Sequence, residues 1–416
     1  FKIIGNYQKR HWKSDKVNNG KAWATIMSEV SNKPEWKLDI LNASFLCGTP
    51  ILAIIGVYWY TVNFGISFFE IGILFFMYVV SGISITAGYH RLFSHRSYSA
   101  SWPLRLFYAI FGAAAFQNSV IKWCSDHRRH HLKTDTEEDP YSIVRGFFWA
   151  HMGWVMVSED EEKIEHVKDL QEDPILAWQD KHIFKIGGFA GIIFPGLIGM
   201  LLIGGLTGFF GGFIWGGLVR LVMVHHGTFL INSGAHYWGK QNYSTKNTSR
   251  DSPILSLLTF GEGYHNFHHT FQTDYRNGHK WYHWDPTKWW IRVFSFIKIT
   301  KNLHKVPSWS IENAKMKTSY EHKENNLNLK IKEDYNQRLK NCTRQIRNLL
   351  KDLKKKRIEY KDAKKNRKML IKETWRQNRI TMKLKIKEVK SNIAIVRLEF
   401  KKLIKEMNIQ NNATLI

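Results

Sequence analysis

The stretch Gly82–Tyr98, GISITAGYHRLFSHRSY, decides how this chain is read. It closes a long uncharged apolar run and ends on two imidazoles, His90 and His95, in HRLFSH. Two further clusters lie downstream: His127, His130 and His131 in HRRHH, and His265, His268 and His269 in HNFHH. Residues at i, i+3 and i+4 share one face of a helix, so each HxxHH run projects several imidazoles together. Each cluster lies just beyond an apolar stretch, and all three are expected to meet on one side of a membrane as a nitrogen-rich metal cage.

The apolar runs are long enough to span a bilayer. Ile40 to Phe69 carries no charge, and after Glu70 the run Ile71 to Tyr89 is again uncharged. Ile186 to Val219 is uncharged over 34 residues and continues past Arg220 to about Ile231. At roughly 20 residues per crossing, the expected spans are about 43–62, 68–89, 186–206 and 209–230, with a first turn near Asn63 to Gly65. Two crossings separate the first His cluster from the third, which returns both to one face. Gly204, Gly208, Gly212 and Gly216 fit close helix packing. Leu104 to Gln117, flanked by Arg105 and Lys122, reads as an interfacial helix. Arg220 must face protein or a polar cavity, because an unpaired charge in lipid is costly.

The chain has 416 residues, a formal charge of +26 and 17 Trp, an average over two unlike regions. From Ile311 onward there are 30 Lys and Arg against 12 Asp and Glu, so the tail supplies +18, and neither Gly nor Pro follows Pro307. An apolar register runs through Leu339, Cys342, Ile346, Leu349, Leu353, Tyr360, Ala363 and Leu370, interrupted by Lys356 and Arg367. A cleaner one follows through Ile386, Val389, Ile393, Val396, Phe400, Leu403 and Met407. Two long helices follow from this, read as a basic coiled coil near an anionic membrane surface. No recognition motif accompanies the charge, so no nucleic acid is expected. Cys47, Cys124 and Cys342 have neither even count nor close spacing, and no disulfide framework is expected. The first span is expected to serve as its own targeting signal.

Imidazole ligands alone do not name a metal, since zinc, copper, nickel and iron accept them. Eight or more histidines with no carboxylate in the clusters suggest two ions, and redox work would need iron. The isolated His11, His151, His166, His182, His279, His283, His304 and His322 read as ordinary core or surface residues.

Beyond the His clusters, the segments AFQNSVIKW (115–123), DPYSIVRGFFWAHMGW (139–154), INSGAH (231–236), EGYHNFHHTFQTDY (262–275) and WDPTKW (284–289) complete a pattern. From about Pro34 to Lys298 the chain resembles the membrane acyl-CoA desaturases of the delta-9, stearoyl-CoA type. The resemblance implies an all-α integral membrane fold: four transmembrane helices, a cytosolic helical cap holding a His-rich dimetal site, and here a basic coiled-coil tail. The expected division is 1–35 N-terminal segment, 36–310 membrane desaturase domain and 311–416 tail.

It also implies a ninth ligand, His236, with Asn232 acting through a water. His90, His95, His131 and His269 would bind one iron, and His127, His130, His236, His265 and His268 the other. Implied substrate contacts are Gln117, Trp123 and Thr228 at a bend of the acyl tunnel, Tyr78 and Gly82 at its closed end, and Lys37, Lys181, Asn118 and Asp126 near the CoA head. A basic residue of the family is replaced here by Ser125. Glycine at 82 would leave room, so stearoyl-CoA is expected to be accepted at least as well as palmitoyl-CoA.

The implied reaction is O2-dependent insertion of a cis double bond at carbon 9 of a saturated acyl-CoA by two iron ions. The tail has no HPGG haem motif and no Gly-rich nucleotide fingerprint. The resemblance implies electrons from an external cytochrome b5, fed from NADH by its reductase, and the endoplasmic reticulum is the expected membrane. The competing readings are a related di-iron hydroxylase, a desaturase of other regiospecificity, and a non-catalytic membrane scaffold.

Overall fold

The computed structural model describes residues 37–158, 164–324, 329–365 and 372–413. The expected N-terminal segment 1–35 and the register positions Arg367 and Leu370 lie outside them. Among the described residues, four helices are long and apolar enough to cross a membrane: Ile40–Phe64, Phe68–Ser94, Ile183–Leu202 and Gly205–Tyr237.

Local chemistry sets the ends of these helices. Asp39 caps the first by accepting from the Asn42 N–H at 2.9 Å, and Gly65, at φ 74°, closes it with an N–H to the Thr61 carbonyl at 3.0 Å. Ser67 and Glu70 form a capping box at the start of the second. Glu70, the one acid between the two apolar runs, is buried and accepts from the Tyr60 hydroxyl at 2.7 Å, which ties span to span. The second hairpin turns at Gly204 (φ 106°) and Gly205 (φ 55°), earlier than the expected 206–209. Left-handed backbone is needed there, and two adjacent glycines supply it. Beyond the turn the helices nearly touch: a Cβ on Gly208 would lie within 2.9 Å of the Gly199 carbonyl carbon.

The second span does not stop at 89. It winds on as a π-helix over Ser84–Ser94, an uncommon geometry that tends to mark functional sites and here carries His90 on the helix itself. The fourth likewise runs past 230 to include Asn232 and His236. Arg220 is buried and donates to the carbonyls of Gly216 at 2.9 Å, Ala114 at 2.6 Å and Gly191.

The helices Trp102–Ala113, Val120–Lys133 and Pro286–Phe296 pack on the Ser84–Ser94 end of the second span, Pro174–Lys181 packs on the first two of them, Pro253–Leu258 packs on the fourth span, and His265–Thr270 meets the second span through His268 and His90. Trp102–Ala113 ends before Gln117, because Phe116 (φ 50°) and Asn118 (φ 76°) turn the chain back. Two short antiparallel pairs close the edges: Lys37–Leu38 with Val157–Ser158, and Ser99–Ala100 with Thr300–Lys301. The main core includes Tyr89, Tyr108, Cys124, Leu176 and Ile291.

Three helices follow toward the C-terminal side, Ser308–Glu324, Leu329–Lys365 and Lys372–Ala413. Cys342 and Ile346 pack with Phe400 and Leu403, and Leu353 packs with Val389 and Ile393, so the last two helices run antiparallel through the expected register. The first starts at Ser308, ahead of the expected boundary at 311. It docks on the rest of the protein: Ile311 packs on Tyr243 and Phe267, and Thr245 donates to Glu321 at 2.6 Å.

Candidate metal centre and cavity

Nine histidines converge. His90, His95, His127, His131 and His268 form one group, and His130, His236, His265 and His269 a second, the ligand atoms of each lying within 4.8 Å of one another. This is not the division implied by resemblance: His127 and His268 join the first group and His269 the second. The reason is helical spacing. His127 and His131 are i, i+4 neighbours with Nε2 atoms 3.1 Å apart, as are His265 and His269 at 3.0 Å, while His130 turns to the other group.

The Nε2 atoms crowd inward. His90 meets His268 at 2.9 Å, His95 meets His127 at 2.8 Å, His131 meets His268 at 3.0 Å and His130 meets His269 at 3.3 Å. The opposite ring nitrogens face protein. Nδ1 of His90 lies 2.9 Å from Glu262, that of His130 2.8 Å from Asp139, that of His127 3.2 Å from the Tyr141 hydroxyl and that of His236 2.8 Å from the Thr248 hydroxyl. A neutral imidazole has one N–H. Where a carboxylate takes it at Nδ1, the bare Nε2 lone pair points at its neighbours, and buried Nε2 of His236 has no protein partner at all. Lone pairs so opposed repel one another unless a cation lies between them, and carboxylate-oriented imidazoles are the usual arrangement around a bound metal. The donor set therefore fits metal ions.

Protonation agrees with this. Burial first, then the charge of neighbouring imidazoles, holds His95, His127, His131, His265, His268 and His269 well below the ordinary histidine value, leaving them in the neutral ligand form. Burial would raise the Glu262 carboxyl, but Arg91 and His90 outweigh it, and Glu262 stays ionised. Arg91 in turn donates to Glu262 at 2.8 Å and to Asp285 at 3.1 Å, so the first and third His segments share one buried ion network.

Beside the first group opens a cavity of about 440 Å³ whose walls include His90, His127, Glu262 and Asn232. Gln117 Nε2 donates to the Thr228 hydroxyl at 2.9 Å, and the Trp123 ring stacks on His127 at 4.9 Å. All three line the cavity, as do Asn118 and Asp126. Tyr78 and Gly82 line a small neighbouring void of about 20 Å³. Neither Lys37 nor Lys181 is among the cavity walls. Lys37 is exposed in a strand paired with Ser158, which does line the mouth, and Lys181 is exposed at the end of an outer helix.

The family model for fatty acid desaturases matches residues 66–295. The chain belongs to the fatty acid desaturase family. A probable acyl-CoA desaturase of Schizosaccharomyces pombe is 42% identical over 280 residues, 67% of this chain and 57% of that protein. Acyl-CoA desaturase 1 of Saccharomyces cerevisiae is 40% identical over 311 residues, 72% of this chain and 59% of that protein. A delta(9)-fatty-acid desaturase of Caenorhabditis elegans is 38% identical over 264 residues, 60% of this chain and 75% of that protein. The match thus spans less than three-fifths of the two yeast relatives.

Several site residues of this desaturase-family chain were not singled out by sequence reasoning. Glu262 and Asp139 sit inside quoted motifs, where an acid close to a His ligand was the available signal. Thr248, and Asp135 whose carboxylate accepts from the Thr248 hydroxyl at 2.7 Å, offered none. At the cavity mouth, Asn42, Lys122 and Arg129 add polar and basic groups, with Asp126 held by Lys122 at 3.1 Å and Arg129 at 3.4 Å. The lysine and arginine share one helix with His127, so helical phase was the missed clue.

Proposed function

We propose that this chain is an O2-dependent delta-9 acyl-CoA desaturase that converts saturated acyl-CoA, stearoyl or palmitoyl, into its cis-9-unsaturated form. The observation that carries the reading is a pair of adjoining imidazole groups, of which the first opens through His90 and His127 onto a cavity of about 440 Å³. The names of the yeast and nematode relatives supply the substrate class.

Two iron ions are assigned to the site, one to each imidazole group, with Asn232 reaching the centre through a water. When bound, they would supply the oxidation by which O2, two donated electrons and two protons remove one hydrogen from each of two adjacent methylenes, leaving the double bond and two waters. The protein's own task is position, because an unactivated C–H bond offers no polar handle. The Gln117–Thr228 hydrogen bond, with Trp123 beside it, fixes the bend of the acyl chain next to His90 and His127. Lys122, Arg129, Asn118 and Asp126, with Lys37 nearby, meet the polar CoA head at the mouth. Carboxylate-held His90 and His130 keep their Nε2 lone pairs on the metals. Arg91 and Glu262, buried together, keep that network dry.

The domains proposed are those expected: an N-terminal segment, the desaturase domain to about 310 and a basic coiled-coil tail. The four spans set the protein in a membrane, assigned to the endoplasmic reticulum with His groups and tail on the cytosolic side. The electron donor assigned is cytochrome b5 with its NADH-dependent reductase, drawn by the basic charge. The test is expression in cells lacking their own desaturase, fed saturated fatty acids, with the new double bond located by mass spectrometry and His127→Ala as the inactive control. A cis bond at carbon 9 supports the proposal. A hydroxylated product, a bond elsewhere, or no product in the presence of cytochrome b5 overturns it.

A further inference from the structure

The room that Gly82 leaves is not empty. A Cβ built on Gly82 would lie within 2.9 Å of three ring carbons of Phe260, so the Phe260 ring fills the space that a side chain at 82 would need. Tyr78, one turn earlier on the same span, packs its ring on Phe260 at 5.1 Å and donates its hydroxyl to the Leu258 carbonyl at 3.1 Å.

These residues stand where the cavity ends. Ile85, Thr86, Thr228 and Ile231 line both the 440 Å³ cavity and the 20 Å³ void, so the void adjoins the cavity on the side of Tyr78 and Gly82. Phe260 forms its far wall and is only half-buried. The ring is held there by its backbone. Phe260 has φ 53°, a left-handed conformation uncommon for a bulky side chain. Its carbonyl accepts from the Thr287 hydroxyl at 2.9 Å, and Thr287 meets Thr86 of the second span at 2.8 Å. The next residue, Gly261, has φ 97°, and a Cβ there would lie within 2.8 Å of Asp285 atoms. Glu262 follows and holds His90, so the stop and the metal centre share one fixed loop.

We infer that Phe260 is the residue that ends the acyl tunnel and sets the accepted chain length. This rests on the desaturase reading above. It replaces the expectation that glycine at 82 by itself opens the site to longer chains, because the void behind the glycine is plugged from the opposite loop. An 18-carbon chain carries two more methylenes past the reaction point than a 16-carbon chain, and each misfitted methylene costs roughly tenfold or more in selectivity.

The test uses the full-length chain in desaturase-lacking cells given palmitate and stearate together. Phe260→Ala is expected to raise the ratio of 18-carbon to 16-carbon unsaturated product by roughly tenfold. Gly82→Ala combined with Phe260→Ala refills part of the space and is expected to bring the ratio back toward wild type. Phe260→Leu, which keeps apolar bulk, covers the case in which the alanine variant does not accumulate, and is expected to give a smaller rise. With purified protein, thermal protection by stearoyl-CoA relative to palmitoyl-CoA is expected to rise in the same order. An active wild type whose ratio is unmoved by Phe260→Ala or Phe260→Leu overturns the inference and leaves the desaturase reading standing. A wild type that makes no unsaturated product overturns that reading and this inference with it.

Discussion

His90 Nδ1 lies 2.9 Å from the Glu262 carboxylate while its Nε2 lies 2.9 Å from His268. One acid 172 positions away in the chain thus decides which nitrogen of His90 is bare. Glu262→Gln keeps the shape but removes the charge that both His90 and Arg91 face. It is expected to lower metal occupancy and desaturation by about 10- to 100-fold. Metal analysis of the purified variant beside its product yield checks this, and full occupancy with full activity would contradict it.

Gln117 and Thr228 come from different elements and meet at 2.9 Å inside the cavity. Thr228→Val removes the acceptor and leaves the half-buried Gln117 amide short of a partner. The acyl bend should loosen, lowering kcat/KM by about tenfold, equivalent to about 1.4 kcal/mol. A drop in KM-type binding alone, with the rate at saturation unchanged, would show that the pair merely binds and does not position.

Arg220 is neutralised by no carboxylate among its contacts; it donates to three backbone carbonyls. One of these, Ala114, precedes the left-handed Phe116–Asn118 turn that aims Gln117. Arg220→Met leaves those carbonyls unpaired and is expected to destabilise the detergent-solubilised protein by about 3 kcal/mol or more. Thermal unfolding measures it, and Arg220→Lys should recover part of the loss.

Asp251 accepts from the Phe267 N–H at 3.0 Å, yet burial pushes its carboxyl up to about 6, and these hydrogen bonds only partly oppose the shift. The folded protein therefore holds a proton that the unfolded chain, near 3.8, has released. Stability from this group is present below about 3.8 and is lost as pH rises through about 6. Asp251→Asn should unfold at a higher temperature than wild type at pH 7.5, with an advantage on the order of 1–3 kcal/mol that shrinks toward pH 4.5. An advantage independent of pH would refute the assignment.

Much of this was legible in the sequence, and for identifiable reasons. Uncharged runs long enough to span a bilayer fixed four helices, and the i, i+4 spacing of His127 with His131 and of His265 with His269 fixed which imidazoles pair. The grouping in space, with His127 and His268 in the first set and His269 in the second, differs from the ligand division that the resemblance implies. The π-helical continuation of the second span to Ser94 was hidden, because periodicity in a run of apolar residues does not distinguish π from α winding. The Phe260 plug was hidden for another reason. A glycine advertises space in the sequence, but what fills that space comes from a loop 178 positions later. The partners of Arg220 are backbone carbonyls, which no residue identity can reveal.

The central claim is that nine histidines hold two iron ions. The most direct measurement is elemental analysis of the purified full-length protein, for wild type and for His131→Ala and His265→Ala, one variant from each imidazole group. The account predicts two irons per chain in the wild type and a marked loss of iron in each variant. Wild-type protein with a single metal per chain, or with zinc in place of iron, would contradict it.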